Sequence, residues 1–374
     1  MKLKTWRKLV FLGLLSTLLI GACHVGRSLW YLTSNITDYK IFPERVIHTD
    51  TSVTHLPYSL TPHYAQFLTL GKDSVDLEKL LPTSKTVAFI IIQNDSIQYE
   101  SYFKGYNDSS ITTSFSMAKS IVSLLVGCAI EDGYVQSVQD SVLRYLPELA
   151  GQGFETMKII DLLQMTADLD YKESYINPFT KTPKFYYGRH LERNTLQLKS
   201  RKNAESKFNY QSPTTQLLGL LLTRALKDKT LSAYLEEKIW KPLGMEYPAT
   251  WSIDEVGGLE KAFCCINARA RDFAKIGVLM SHYGVWKGKQ IIPRTWIQET
   301  YKRHTTHGSA NFYNYQWWMP LQGEIYADGH LGQYIYIHPS SKTVIVRLGE
   351  NYGHIRWVTI FRSIHSTPPN NAKR

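Results

Sequence analysis

Ser116 and Lys119 stand three residues apart at the start of a segment that reads as helix, a spacing that turns a hydroxyl and an amine toward one another. A serine hydroxyl attacks a carbonyl only when a base takes its proton, and a lysine is such a base only where desolvation keeps part of it neutral. The run from Ile121 to Ile130 is almost wholly apolar, and Glu131-Asp132-Gly133 ends it with a glycine stop. A buried helix of this kind supplies the dry setting, and its N-terminus favours negative charge growing on an attacked carbonyl. A capping serine beside a surface lysine would leave the same letters, so partners elsewhere must decide. The spacing alone is weak, because 29 serines and 27 lysines in 374 residues give about two matches by chance, and two are found. The second, Ser101 to Lys104, continues the alternating run Ile97-Gln98-Tyr99-Glu100, a strand pattern that sends residues three apart to opposite faces.

Other chemistries are excluded by inspection. No serine sits in Gly-x-Ser-x-Gly, and no histidine is followed by glutamate as a zinc-protease helix requires. Gly284 to Gln290 is one residue short of a phosphate-binding loop and lacks its Ser/Thr. The cysteines Cys23, Cys128, Cys264 and Cys265 fit neither a disulfide framework nor a zinc site, and the last three read as buried free thiols. No metal or cofactor is expected. The net charge of +11 is mostly dispersed, with clusters at Lys2 to Lys8 and at Lys181 to Lys207. The second cluster reads as a solvated face, so no nucleic-acid partner is expected.

Two further motifs follow Ser116 in order. Phe208-Asn209-Tyr210-Gln211-Ser212-Pro213 precedes a new helix, and Asp328-Gly329-His330-Leu331-Gly332-Gln333 leads into a strand. With the Ser-x-x-Lys motif they resemble the three motifs of the serine β-lactamase and penicillin-binding-protein superfamily, in the manner of class C β-lactamases and related serine hydrolases. Tyr145-Leu146-Pro147-Glu148-Leu149, Ile159 to Ala167, Pro242-Leu243-Gly244-Met245 and Gly284 to Lys289 resemble recurrent framework segments, so the likeness runs from about Val87 to Glu350. Two positions depart from the β-lactamase pattern: Ser212 stands where class C enzymes carry asparagine, and His330 where they carry lysine. Both variants occur in the esterase and amidase branches, including family VIII esterases and relatives of 6-aminohexanoate-dimer hydrolase. The resemblance implies a serine hydrolase acting on a small-molecule or short-peptide ester or amide. Ser116 is then the nucleophile and Lys119 and Tyr210 the coupled bases, and the Ser116 and Gln333 N–H groups form the oxyanion hole. Ser212, His330 and Gly332 contact substrate, with His330 orienting a leaving group or a carboxylate and Gly332 letting substrate lie against the strand edge. The alternatives are a catalytically weak penicillin-binding-like sensor, a D-amino-acid peptidase or a β-lactamase.

The elements that must position these residues read as α+β. Strand-like runs at Val87 to Gln93 and Ile97 to Phe103 flank the turn Asn94-Asp95-Ser96, and a second hairpin is expected from Tyr334 to Leu348. Most of 119–283 reads helical, notably Ser212 to Lys227, Leu231 to Lys241 and Ala268 to Tyr283. One antiparallel sheet built from the N- and C-terminal segments, flanked by helices and carrying an inserted, mostly helical subdomain, is therefore expected. The hydrolase domain is placed at 86–366, after an irregular lead-in at 24–85 and before a tail at 367–374. Tyr171 to Tyr187, rich in aromatics, is expected to cover the cleft. At the N-terminus Lys2, Lys4, Arg7 and Lys8 precede an apolar run from Leu9 to Ala22, the anatomy of a signal peptide or membrane anchor within 1–23. Ile20-Gly21-Ala22-Cys23 resembles a bacterial lipobox, with Cys23 the lipidation candidate. Either reading places a monomeric catalytic domain at the cell envelope, outside the cytoplasm and held to the membrane.

Overall fold

The computed structural model describes residues 24–366 apart from 32, 71, 176, 178, 204–205, 306–307 and 322. The expected N-terminal anchor, Cys23 and the 367–374 tail lie outside the described residues. The chain enters through α1 (His24–Tyr31) and β1 (Glu44–Ile47), and the hairpin of β2 (Phe67–Leu70) and β3 (Asp73–Asp76) runs into α2 (Leu77–Thr83). Strands β4 (Thr86–Gln93), β5 (Ser96–Tyr102) and β6 (Thr112–Thr113) then feed α3 (Met117–Glu131). Next come α4 (Ile159–Leu163), α5 (Lys181–Tyr187), α6 (Leu191–Leu196), α7 (Ser212–Leu226) and α8 (Leu231–Leu235), then β7 (Ala249–Ser252), β8 (Ile266–Ala268) and α9 (Ala270–Ser281). After β9 (Val285–Trp286), β10 (Lys289–Gln290) and α10 (Arg294–Thr300), strands β11 (Tyr313–Asn314), β12 (Trp317–Trp318), β13 (Ile325–Gly329), β14 (Gln333–His338) and β15 (Thr343–Gly349) lead to α11 (Trp357–Ser366).

The main sheet runs β11-β12-β13-β14-β15-β4-β5. Every neighbouring pair is antiparallel, and β15 against β4 joins the C-terminal hairpin to the N-terminal one. The expected α+β architecture is what the chain adopts. Asn94 and Asp95 take φ of 50° and 63°, the left-handed pair that a tight hairpin between right-twisted strands needs. The near-continuous apolar run of β4 has a cause in the layering. Ile90 and Ile92 pack into the core that holds α3, while Phe89 and Ile91 pack on the other face with Trp357 and Phe361 of α11.

Helix α3 is buried from Met117 to Ala129, which explains why it has no polar stripe. A second, four-stranded sheet, β1-β7-β8-β6, was not apparent in the sequence. Its strands are two to four residues long, too short for a period to show. The 24–85 segment, read as irregular, supplies one of them, with β1 pairing with β7 from Glu44 opposite Ser252 to Ile47 opposite Ala249. Among the described residues no helix is long and apolar enough to cross a membrane.

Candidate active site

The short sheet ends at the start of α3 and fixes it there. Ser114 N–H donates to Ile266 O at 2.8 Å, and Ile266 N–H donates back to Ser114 Oγ at 3.0 Å. Phe115 then turns with φ +43°, a left-handed conformation costly for a bulky side chain, and delivers Ser116 to the N-cap. The hydroxyl of Ser116 makes no capping hydrogen bond. Instead Lys119 Nζ donates to Ser116 Oγ at 2.8 Å, and donates a second bond to Phe263 O at 2.8 Å. Lys119 is 1% exposed. Burial pushes its pKa down to about 7, against a smaller opposing pull from the Glu173 carboxylate. The other Ser-x-x-Lys match holds no such pair: Ser101 lies on β5 opposite Phe89, and Lys104 pairs with Glu350 at 2.9 Å.

Tyr210 arrives from the loop before α7 and closes over the amine. Lys119 Nζ lies 5.2 Å from its ring centroid, and the ring stacks on Trp318 at 5.6 Å. Burial raises the phenol's pKa, and a hydrogen bond with Ser116 offsets part of that rise. Ser212, at the first position of α7, gives both its N–H (2.9 Å) and its hydroxyl (2.8 Å) to Glu173, which also accepts from Tyr175 OH at 2.6 Å. The Tyr175 ring stacks on His330 at 5.0 Å, with the Phe115 ring edge-on to the same imidazole at 5.4 Å. Burial holds His330 below the usual histidine range, so at neutral pH the imidazole is uncharged.

The third motif is the tight turn between β13 and β14, where Gly329 pairs with Gln333. Within the protein, a close backbone approach falls at Gly329. A Cβ on Gly329 would lie 2.3 Å from Ser114 O and 3.3 Å from Met117 Cγ, so glycine there lets the turn meet the start of α3. Gly332 is glycine for another reason: its φ is +83°, and a Cβ would lie 2.2 Å from Arg347 Nη1. Arg347, fully buried, donates to Gly332 O (2.6 Å), Ser84 O (3.0 Å), Asn351 O (2.8 Å) and Thr86 Oγ1 (3.1 Å), with its guanidinium 4.0 Å from the Trp357 ring centroid. The Gln333 amide side chain braces Gly349 by two hydrogen bonds, to its carbonyl (2.6 Å) and from its N–H (3.1 Å). Its backbone N–H follows the Arg347-held turn. Among the described residues the Ser116 N–H has no backbone acceptor.

A cavity of about 190 Å³ opens in front of Ser116, with Phe115, Phe263, Tyr186, Tyr187 and His330 in its wall. The aromatic stretch read as a cover divides. Tyr175, Tyr186 and Tyr187 line the cavity, Tyr171 packs inward against Phe185, and Phe179 is exposed. The adjacent thiols read as free are instead joined, Cys264 to Cys265, while Cys128 is buried and free as expected. Proximity in sequence gave no reason to expect that pair to close, and Cys264 lies in the cavity wall beside Phe263. Glu173, the Phe263 carbonyl and Arg347 escaped the sequence reading. A lone glutamate and a strand arginine carry no motif, and a carbonyl has no residue signature at all. Among the described residues no group of three or more His, Cys, Asp or Glu side chains could hold a metal.

Residues 76–350 match the Beta-lactamase family. The chain is 26% identical over 295 residues to the 6-aminohexanoate-dimer hydrolase of Paenarthrobacter ureafaciens, covering 73% of this chain and 74% of that one. A solved Bacillus anthracis structure assigned as a 6-aminohexanoate-dimer hydrolase superposes with a TM-score of 0.77 at 24% identity, over 88% of this chain and 90% of the other. A family VIII carboxylesterase shares the fold at a TM-score of 0.58 and 12% identity, over 77% and 95% of the two chains. With the seven-stranded antiparallel sheet and its flanking helices, these matches establish that the chain belongs to the Beta-lactamase family and is a hydrolase.

Proposed function

We propose that the protein cleaves an ester or amide bond through an acyl-enzyme on Ser116. Ser116 Oγ attacks the carbonyl carbon, and its proton passes to the neutral amine of Lys119, while the N–H groups of Ser116 and Gln333 receive the developing oxyanion. Collapse of the tetrahedral intermediate breaks the bond to the leaving alcohol or amine, which takes that proton through Lys119 and Tyr210. Water then enters by the same base and releases the acid. Lys119 and Tyr210 act as one coupled unit, with burial keeping the phenol protonated so that it relays rather than accumulates charge. The observation that carries this reading is the 2.8 Å contact between Ser116 Oγ and a fully buried lysine amine. His330, uncharged and walled by Tyr175 and Phe115, favours a neutral substrate over the carboxylate-bearing one of a β-lactamase.

Hydrolysis of p-nitrophenyl acetate tests the assignment. Ser116→Ala is expected to lower kcat/KM by about three orders of magnitude or more, and Ser101→Ala to leave it unchanged. Full turnover by Ser116→Ala would refute the nucleophile. A stable adduct on Ser116, seen by mass spectrometry without turnover, would mark a sensor instead.

A further inference from the structure

The first described helix is also a wall of the active-site cavity. Ser28 and Leu29 of α1 line it together with Ser116 and His330, and α1 is held there by Tyr31 stacking on Tyr187 at 5.8 Å. Leu29 is the sixth residue of α1, and at a helical rise of about 1.5 Å per residue it lies only ~7.5 Å along the axis from His24, where the helix begins. The headgroup layer on each side of a bilayer is of similar thickness, about 5–8 Å. If residues 9–22 attach the chain to a membrane, the cavity mouth has no room to stand clear of it.

The surface around α1 suits such contact. Leu29 is 53% exposed, Trp30 76% and Val256 90%, an unusual grouping of large apolar side chains open to solvent. Trp30 and Val256 border a groove of about 820 Å³ beside α1, which also holds Arg27, Arg189, Asp254 and Glu255. The two carboxylates are engaged within the protein: Asp254 accepts from the N–H groups of Leu191 and Leu259, and Glu255 from His190. Arg27 reaches the Ile41 carbonyl, at 3.4 Å, and lies over the Phe42 ring at 5.8 Å, and among the described residues neither Arg27 nor Arg189 has a carboxylate partner. A tryptophan, a leucine and two arginines without carboxylate partners are the composition that settles at an anionic lipid surface.

Resting on the serine hydrolase reading above, we propose that the active-site mouth lies in the headgroup layer of an anionic membrane and that the substrate is a membrane amphiphile, a neutral ester or amide whose acyl chain enters past Leu29. The cavity, about 190 Å³, accommodates the chain next to the scissile carbonyl while the remainder stays among the lipids. Phe115, Phe263, Tyr186 and Tyr187 provide the apolar wall, and neutral His330 places no charge against it.

The full chain, reconstituted in vesicles of zwitterionic and anionic phospholipid, is assayed with p-nitrophenyl laurate, which dissolves in the bilayer, and with water-soluble p-nitrophenyl acetate. The laurate is expected to be cleaved with a kcat/KM about tenfold higher or more. The double variant Trp30→Ser/Val256→Ser, both positions outside the catalytic cavity, should lose about fivefold on laurate and nothing on acetate. In parallel, the Trp30 fluorescence, obtained as wild type minus Trp30→Phe, should be quenched by lipids brominated on their acyl chains. Acetate cleaved as well as laurate, an unquenched Trp30, or equal losses on both esters in the double variant would overturn the proposal. If neither ester is cleaved by wild type, the hydrolase reading falls instead, and the quenching result still decides where the mouth lies.

Discussion

The ionisation of Lys119 makes the most exacting prediction. An exposed lysine with its ordinary pKa of 10.5 would be neutral in about one molecule in 3,000 at pH 7, whereas the buried amine, brought to about 7, is neutral in roughly half. The displacement corresponds to about 5 kcal/mol at about 1.4 kcal/mol per pH unit. It is destabilising: the unfolded lysine keeps its proton up to about pH 10.5, while the folded one releases it above about 7. The contribution of this group to stability therefore rises with pH between those values, and below pH 7 the fold carries the whole cost of the buried charge. In activity, log kcat/KM should climb with unit slope to about pH 7 and level off above about pH 8, leaving roughly a hundredfold loss at pH 5. Asp328, also brought to about 7 by burial, and His330, held below its usual range, face the same turn and are alternative sources of the limb. Asp328→Asn and His330→Gln should each leave its midpoint in place. Glu173→Gln removes the one carboxylate that raises the lysine and should move the limb toward lower pH. Lys119→Arg, which cannot deprotonate, should be inactive at every pH. A profile still rising at pH 9, or a limb that moves upward in Glu173→Gln, would refute the reasoning.

Arg347→Met should leave the carbonyls of Gly332, Ser84 and Asn351 without their donor, costing about 3 kcal/mol or more in stability. Because the turn carrying the Gln333 N–H loosens, kcat should fall at least about tenfold with KM little changed, and a pure KM effect would contradict the proposed oxyanion placement. Gly329→Ala should drive β13 off the Ser114 carbonyl and abolish turnover of all esters, since the intruding Cβ meets backbone rather than a yielding side chain. Retained activity would mean the turn does not bear on the nucleophile. Reduction of the Cys264–Cys265 bond, followed by mass spectrometry of the alkylated thiols, should alter the pH limb, because the neighbouring Phe263 carbonyl holds Lys119. An identical limb in the oxidised and reduced protein would uncouple the pair from the amine.

Local chemistry makes several features legible in the residues themselves. An apolar run after Ser116 announces a buried helix because no stretch of it could face water, and Asn94-Asp95 announces a hairpin because both residues tolerate left-handed backbone. Strand-like runs at Val87 to Phe103 and Tyr334 to Leu348 likewise point to the sheet built from both ends of the chain. Residues whose role depends on a distant partner stay hidden. Glu173 acquires its place only when α7 presents Ser212 to it, and Arg347 only when β15 carries it beneath the Leu331-Gly332 turn. The joining of Cys264 to Cys265 and the short sheet through β1, β7, β8 and β6 are equally silent.

Sequence alone thus determined which side chains can do the chemistry and which segments must be buried, since hydroxyl, amine and apolar periodicity are properties of the residues themselves. Tertiary structure decided which serine is paired with its lysine, which glycine admits a close approach, and that α1 walls the cavity. Each of these depends on distances between segments far apart in the chain, as does the burial that brings the Lys119 amine down to about 7.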